Sequence, residues 1–456
     1  MATSRINPYH WAMQQDLTTG PVGRNLLKFS VPYLASCFLQ TFYGMTDLFI
    51  TGKFNGAEAI SAVAIGSQVM HMLTVMIVGL AMGTTVNLGK AVGAKDQHRI
   101  GQVIGNSVWF FVLVGIFTTL VLVRLTDPIL FLLSTPSEAF SEAHAYLLTC
   151  VLGIPCIVAY NVVVSLFRGQ GDSRTPLLFI AIAGVANILL DWYFIGPLGL
   201  GAQGAALATV ISQALSFLLA LVAILKMGLL PVRASDFRLD GNTIRAIVST
   251  GLPICLQDAF VQVSFLLITV IVNRRGVIDA AAVGIVEKLI SFLFLVPSAM
   301  LSSVSAIASQ NAGAGHNDRS LQTLRDAMAF SALFGLVVTV VVQFAAEPIV
   351  ALFTNDSRVI TQGAGYFRSY VFDCIFAAFH FSMSGFFCAY EHAGYSFLSN
   401  VLSIVLVRIP GAWWGSIAFP SSLWPMGWAA PCGSLFSSLV CVILMRHLWK
   451  KGTIRP

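Results

Sequence analysis

The stretch KAVGAKDQHR at residues 90–99 returns in outline 220 residues later, as QNAGAGHNDR at residues 310–319. Each copy follows two long apolar segments. The match extends backwards, where Ser30-Val31-Pro32 in the first half faces Gly251-Leu252-Pro253 in the second. A fixed internal period indicates duplication. The chain of 456 residues is therefore interpreted as two copies of one unit.

The composition is that of a membrane protein. Hydrophobic residues make up 57% of the chain and charged residues 10%, whereas about 25% charged residues is usual in soluble domains. Apolar stretches of about 20 residues predict membrane-spanning helices. Six such stretches occur in each half, at 27–50, 59–84, 101–125, 141–166, 176–196 and 202–225, and at 247–272, 280–306, 326–345, 365–389, 396–417 and 425–446.

These stretches predict an all-α polytopic membrane protein with twelve transmembrane helices in two parallel six-helix repeats. An even number of spans per half makes both halves enter the bilayer in the same orientation, the parallel layout of some secondary transporters. The predicted organisation is an N-terminal tail (1–25), an N-terminal lobe (26–225), a linker (226–245), a C-terminal lobe (246–446) and a C-terminal tail (447–456).

Lysine and arginine predict the orientation. With a cytoplasmic N-terminus, 18 of them lie in the tails and loops on the inside and six in the outside loops. This asymmetry predicts a multi-pass protein of the cell (inner) membrane with both termini cytoplasmic. The first 25 residues contain no short apolar segment of the kind found in signal peptides. The net charge of +6 then follows from topology and does not indicate nucleic-acid binding.

Several kinds of chemistry are excluded by what the sequence lacks. The eight cysteines show no CxxC spacing, so they are interpreted as packing residues. Neither a Walker A loop, nor HExxH, nor GxSxG, nor a Gly-rich dinucleotide motif is present. We therefore expect no enzymatic activity and no cofactor, with the lipid bilayer and a small organic substrate as the partners of a functional monomer.

Acids within the apolar stretches are the informative residues, because each is costly in the bilayer unless it faces a polar interior. Asp47 shares a helix face with Tyr43 and Gln40, which predicts a polar stripe on the first span. The alternative is an acid close to the outer end of that helix. Pro32 lies in the same helix and Pro253 at the matching position of the seventh, and both are predicted hinges.

The fifth span carries an amide and a carboxylate on one face, at Asn187 and Asp191. Thr209 in the next span and Asn161 in the fourth are predicted to reach the same cluster. With Asp47 they offer oxygen ligands that suit a proton or a sodium ion. The alternative for Asn187 and Asp191 is a hydrogen-bonded clamp between helices, and for Asn161 it is plain contact between helices.

The second half has fewer polar patterns. Asp258 and Gln262 share a face of the seventh span, whereas Glu287 and Asp373 have no partner at helical spacing. All four are predicted to line a substrate path, the alternative being structural ion pairs. Arg408 is interpreted as the countercharge of a neighbouring acid.

These residues in combination resemble the multidrug and toxic compound extrusion (MATE) family over roughly residues 20–445. The resemblance rests on Pro32, Gln40, Tyr43 and Asp47 followed by LFITG, on FRGQGD at 167–172 and on ANILLD at 186–191. It implies two six-helix lobes that export drugs or organic cations in exchange for protons or sodium. It also implies a cation site at Asp47, Asn187, Asp191 and Thr209. Gln40 and Tyr43 are implied to line the substrate pocket.

One departure from the family concerns the seventh span. A branch of the family has an essential glutamate shortly after Gly-Leu-Pro, where this chain has Val261. Duplication is also imperfect, because Asp47 falls opposite Leu267 and Ile268, and Asp191 falls close to Trp414. Both observations favour the N-terminal lobe as the coupling site.

Alternating access is the expected mechanism, with a proton or sodium ion at the Asp47 cluster opposing the substrate. The alternative is a flippase for lipid-linked glycans or lipids of the same superfamily, which would need several basic residues in its cleft to bind an anionic headgroup. An intramembrane enzyme or a channel fits less well, because the sequence shows duplicated lobes with acids in the spans and no catalytic dyad.

Overall fold

The computed structural model describes residues 16–227 and 234–452, and all regular structure in these ranges is helical. Parts of the predicted tails and of the predicted linker lie outside the described residues, namely 1–15, 228–233 and 453–456.

The first half of the chain forms seven helices. They are α1 (Val22–Phe54), α2 (Ala57–Gly93), α3 (Gln97–Leu132), α4 (Ser137–Leu152), α5 (Ile154–Gly169), α6 (Arg174–Ile195) and α7 (Gly201–Met227), followed by a 3-10 turn at Ala234–Phe237.

The second half repeats this order with more interruptions. Its helices are α8 (Gly241–Asn273), α9 (Val277–Leu293), α10 (Leu295–Gly313), α11 (Asn317–Ala351), α12 (Ser357–Tyr370), α13 (Asp373–Ala389), α14 (Ala393–Ser403), a π-helical turn (Ile404–Arg408), α15 (Ile409–Ala418), α16 (Trp424–Gly427) and α17 (Ala429–Lys450).

The predicted fold class is confirmed. Among the described residues, nine helices are long and apolar enough to cross a membrane, and eleven when each of two bent pairs is one span. The pairs are α4 with α5, bent by 47°, and α12 with α13, bent by 40°. The predicted first span corresponds to α1, which is not among these eleven; its 33 residues cover about 50 Å at 1.5 Å per residue.

The chain packs as two compact units. Among the described residues, the first unit includes 31–227 and 234–248, and the second includes 17–30 and 249–452. Two helices, α1 and α8, therefore pass from one unit to the other. Each contains a proline close to this passage, Pro32 in α1 and Pro253 in α8.

The start of α8 is anchored on α3 within the first unit. Asp240 caps the helix by accepting hydrogen bonds from the Thr243 backbone N–H at 3.1 Å and from the Thr243 hydroxyl at 2.5 Å. The hydroxyl bond lowers the pKa of Asp240. Arg99 of the repeated stretch donates from Nη1 to Thr243 Oγ1 at 2.6 Å, and Asn106 Oδ1 accepts from the Asp240 N–H at 2.8 Å.

The matching arginine of the second copy has a matching contact within the second unit. Arg319 donates from Nη2 to the carbonyl of Gly20 at 2.9 Å and from Nε to Asn311 Oδ1 at 3.1 Å. Asn311 in turn donates to the Leu17 carbonyl at 3.3 Å. Both copies of the repeated stretch therefore hold the segment that leads into the first long helix of the other sequence half.

Close helix contacts in the second unit depend on small residues. Gly335 of α11 lies so near α13 that a Cβ added to it would be 2.6 Å from the Cys374 carbonyl oxygen. In contrast, a Cβ added to Gly284 of α9 would meet nothing within 4 Å.

Gly335→Ala is expected to destabilise the protein, by about 1–3 kcal/mol, because the new methyl group overpacks backbone that cannot yield cheaply. Gly284→Ala is the matched control and should leave the thermal unfolding midpoint unchanged or slightly raised. Differential scanning fluorimetry of both purified variants in one detergent measures the two midpoints. Equal midpoints for the two variants would contradict this packing.

Candidate functional site

Three helices of the first unit bring four predicted site residues together. Asp47 lies on α1, Asn187 and Asp191 on α6, and Thr209 on α7. The Thr209 hydroxyl donates to Asp47 Oδ2 at 3.2 Å, and Asp191 and Asn187 lie beside the same carboxyl group. We call these four residues the Asp47–Asp191 site.

Helical spacing and small residues explain why these side chains meet. Asn187 and Asp191 are four residues apart and so project from one face of α6. The facing helix α7 presents small side chains, and small residues allow transmembrane helices to approach closely. The fully buried alanines of α7 are Ala202, Ala205, Ala206 and Ala208.

The site is buried, and apart from the bond between Thr209 and Asp47 several of its polar atoms lack a well-formed hydrogen bond. Asp47 is 5% exposed, and Asn187 and Asp191 are 0% exposed. Among the described residues, no hydrogen-bond partner is found for Asp47 Oδ1, for either Asp191 oxygen or for either amide atom of Asn187. Because buried polar atoms in native proteins are nearly always paired, this convergence is typical of a place where a ligand binds.

The donor set restricts the kind of ligand. Two carboxylates, an amide and a hydroxyl are hard oxygen ligands, which suit a proton or a sodium ion. Across residues 16–227 and 234–452, no group of three His, Cys, Asp or Glu residues could hold a metal ion. Oxygen donors of this kind fit a monovalent cation better than a transition metal, which is bound more often by nitrogen and sulfur.

Two neighbours of the site were missed by sequence reasoning. Gln213 donates from Nε2 to the Tyr43 hydroxyl at 3.1 Å, and it lies four residues after Thr209, a spacing that could have identified it. Tyr146 of α4 is 2% exposed and interacts with both acids. Glu142 lies four residues before Tyr146 on the same helix, but no spacing within α4 relates Tyr146 to acids on α1 and α6.

The remaining predicted residues of the first unit lie around this site. Gln40 is half-buried on α1, one turn before Tyr43. Asn161 on α5 is 8% exposed, and its Nδ2 donates to the Ile157 carbonyl at 2.8 Å. The donor group of Asn161 is thus satisfied within its own helix.

The predicted residues of the second unit fall into two places. Asp258 and Gln262 are half-buried one turn apart on α8, and Asp258 lies near Cys255 and Cys388. Glu287 of α9 and Asp373 of α13 instead share a basic neighbour in Arg408. Helical spacing had linked neither acid to a partner, since the three residues come from three separate elements.

Family membership follows from comparison with known proteins. The sequence profile of the MatE family matches residues 32–193 and 253–414, once in each half. The probable multidrug resistance protein YpnP of Bacillus subtilis (strain 168) is 27% identical over 441 residues, which cover 95% of this chain and 97% of YpnP. The FAD transporter of Shewanella oneidensis is 25% identical over 441 residues, with coverages of 95% and 96%.

The fold has a counterpart among solved structures. A crystal structure of MATE in complex with MaL6 matches with a TM-score of 0.90 at 19% sequence identity, covering 96% of this chain and 99% of that one. At this identity the likeness concerns the fold. The profile match in both halves extends over most of the sequence, and the protein therefore belongs to the MatE family, whose members are transporters and not enzymes.

Proposed function

We propose that this protein is a secondary active antiporter that exports drugs or organic cations in exchange for a proton or a sodium ion. The observation that carries the proposal is the Asp47–Asp191 site, two buried carboxyl groups side by side with unpartnered oxygens. Ionisable residues inside transmembrane helices mark ion or substrate pathways. The name of YpnP supports a drug as the exported compound.

The proposed location is the inner membrane, with both termini in the cytoplasm. It is supported by the distribution of Lys and Arg, 18 against six. In this orientation the repeated stretches at 90–99 and 310–319 face the cytoplasm. Substrate therefore enters from the side that holds the termini.

Coupling arises because the net charge of the Asp47–Asp191 site depends on whether a cation is bound. Two adjacent carboxylates removed from water repel each other, and a bound proton or sodium ion relieves this repulsion. The cation-bound and cation-free forms of the Asp47–Asp191 site therefore favour different packings of α1, α6 and α7. If the organic substrate is bound best in one of these packings, cation and substrate weaken each other's binding by the same factor.

A proline in α1 supplies a place for the packing to change. Pro32 lacks the N–H that would bond the Lys28 carbonyl, so the helix is weakened about two turns before the polar stripe begins at Gln40. The Ser36 hydroxyl donates to the Pro32 carbonyl at 3.0 Å, and such bonds favour bending. We propose that α1 bends here when the site changes its charge, and that Pro253 in α8 is the corresponding hinge.

Asp47→Asn is expected to abolish exchange, because an amide can neither take up and release a proton nor supply the negative charge that balances a bound cation. The measurement is substrate efflux from reconstituted vesicles with a pH gradient and a sodium gradient imposed separately. The control is Asp127→Asn, which changes an acid whose side chain is 58% exposed and should retain exchange. If neither gradient drives efflux by the native protein, antiport is contradicted. If Asp47→Asn exchanges normally, Asp47 has no part in the mechanism.

Asp191→Asn is expected to stabilise the protein at pH 8 while impairing transport, since it removes one of two adjacent buried acids that lack partners. The amide is neutral, so the variant removes the repulsion between two buried carboxylates. The matched control is Asp279→Asn, because Asp279 Oδ2 accepts from Arg275 Nε at 2.7 Å in a buried ion pair. Breaking such a pair costs about 3–5 kcal/mol.

Thermal unfolding of both variants in detergent measures this difference. The midpoint should rise for Asp191→Asn and fall for Asp279→Asn. A fall of similar size in both variants would mean that Asp191 serves structure, as a clamp between helices, and would count against its role in coupling.

A further inference from the structure

One face of α17 is apolar and exposed along most of the helix. Leu435, Leu439 and Ile443 follow one another at intervals of four residues, and all three are exposed. Residues four apart share a face of an α-helix, so these side chains form one stripe. Because α17 belongs to a candidate membrane span, the stripe contacts the hydrocarbon of the bilayer.

The same face of α17 ends in basic residues. Arg446 and Lys450 lie seven and eleven residues after Leu439, which is about two and three turns of the helix. Both side chains are exposed, as is Trp449 beside them. Lysine, arginine and tryptophan at the end of a span are typical of the level at which lipid headgroups lie. The apolar stripe therefore passes directly into a cationic end.

A second helix of the same unit has this design at its start. Leu333, Leu336 and Val340 are exposed on one face of α11. Arg325 is also exposed, and it lies eleven residues before Leu336, which is about three turns. Each of these two lipid-facing stripes of the second unit thus meets a cation at one end.

One hydrophobic cluster joins these cationic ends. Leu324 of α11 and Leu448 of α17 both belong to it, and so does Leu26 near the start of α1. Arg24 and Lys28 lie on either side of Leu26 in the sequence and are exposed. The exposed cations at these three helix ends, which we call the basic collar, are Arg24, Lys28, Arg325, Arg446, Lys450 and Lys451.

The charges of the basic collar are not paired within the described parts of the chain. The ion pairs found between residues 16–227 and 234–452 involve other basic residues, namely Arg99, His144, Arg275, Arg358 and Arg368. The acid next to Arg325 in sequence is Asp326, and its carboxyl group faces the start of α1, where a Cβ added to Gly23 would lie 3.3 Å from Asp326 Oδ2. The collar therefore carries positive charge that a partner can balance.

We propose that the basic collar binds the headgroups of anionic phospholipids in the leaflet that the end of α17 meets. A phospholipid fits both parts of this surface, because its acyl chains contact the stripes of α11 and α17 while its phosphate reaches the cations beyond them. An anionic headgroup is favoured over that of phosphatidylcholine, whose choline cation already balances the phosphate. Each basic residue close to an anionic membrane surface strengthens the attraction about fivefold.

Spin-labelled lipids test this proposal. The full-length protein is reconstituted in phosphatidylcholine vesicles with a trace of phosphatidylglycerol or phosphatidylcholine that carries a spin label on one acyl chain. Electron spin resonance separates lipid immobilised against the protein from bulk lipid and so measures the relative association constant of the two headgroups. We expect the native protein to prefer phosphatidylglycerol by at least about threefold.

Two triple variants separate the collar from exposed charge in general. The combination of Arg446→Gln, Lys450→Gln and Lys451→Gln removes half of the collar and should reduce the preference at least about twofold. The matched control removes three exposed cations from the loops predicted on the other side, by Lys53→Gln, Arg124→Gln and Arg274→Gln, and should keep the native preference. Both variants should immobilise the native amount of phosphatidylcholine, which checks that their helices remain folded.

Salt gives a second measurement, made on the native protein alone. Raising the salt from about 0.1 M to about 1 M shortens the Debye length from about 10 Å to about 3 Å, so the preference for phosphatidylglycerol should shrink. The proposal is wrong if the native protein does not distinguish the two lipids, if both triple variants lose the preference equally, or if the preference persists at high salt.

The measurement is independent of transport. It needs neither substrate nor an ion gradient, and labelled lipid is present in both leaflets, so the orientation of the protein in the vesicle does not affect it. Loss of the lipid preference would leave the antiporter proposal unchanged, and failure of antiport would leave the basic collar unchanged.

Discussion

Charged groups inside apolar helices need partners, and the functional architecture of this protein depends on how that need is met. Most polar side chains in the described spans bond to the backbone of their own helix, as Asn161 does with the Ile157 carbonyl. Asp47 and Asp191 do not, because they face each other across α1 and α6 with three of their four oxygens unpartnered. Two such carboxyl groups repel each other when both are ionised. This physical property is the basis of the proposed coupling.

The two units meet this need differently, and the difference follows the broken symmetry of the duplication. In the first unit the acids lie next to each other with an amide and a hydroxyl. In the second unit Glu287 and Asp373 interact with Arg408. This unit therefore has a positive group beside its two acids, which the first site lacks. The positions opposite Asp47 in the repeat are Leu267 and Ile268. One scaffold thus holds two polar groups of different composition, a pair of acids in the first unit and two acids with an arginine in the second.

Structure also explains the repeated stretch itself. Arg99 and Arg319 occupy matching places in the two copies, and each holds the segment before a long helix of the opposite half of the sequence. The two partners lie 144 and 299 residues away along the chain. Polar contacts of this kind keep α1 and α8 anchored at their starts while Pro32 and Pro253 leave the next turns weaker. The duplicated arginines therefore make similar structural contacts, whereas the pair of adjacent acids, Asp47 and Asp191, occurs in the first unit.

Sequence by itself predicted the twelve spans and their duplication, and it grouped Asp47, Asn187, Asp191 and Thr209 as one polar cluster. It could do so because hydropathy and helical spacing are local properties of the chain. Tertiary structure decided which residues join across helices: Tyr146 and Gln213 around the first site, and Arg408 between Glu287 and Asp373. It also decided the bends within the fourth and tenth spans and the π turn before Pro410. These features depend on contacts between residues far apart in the chain, and packing of side chains between helices leaves no periodic signal in any single helix.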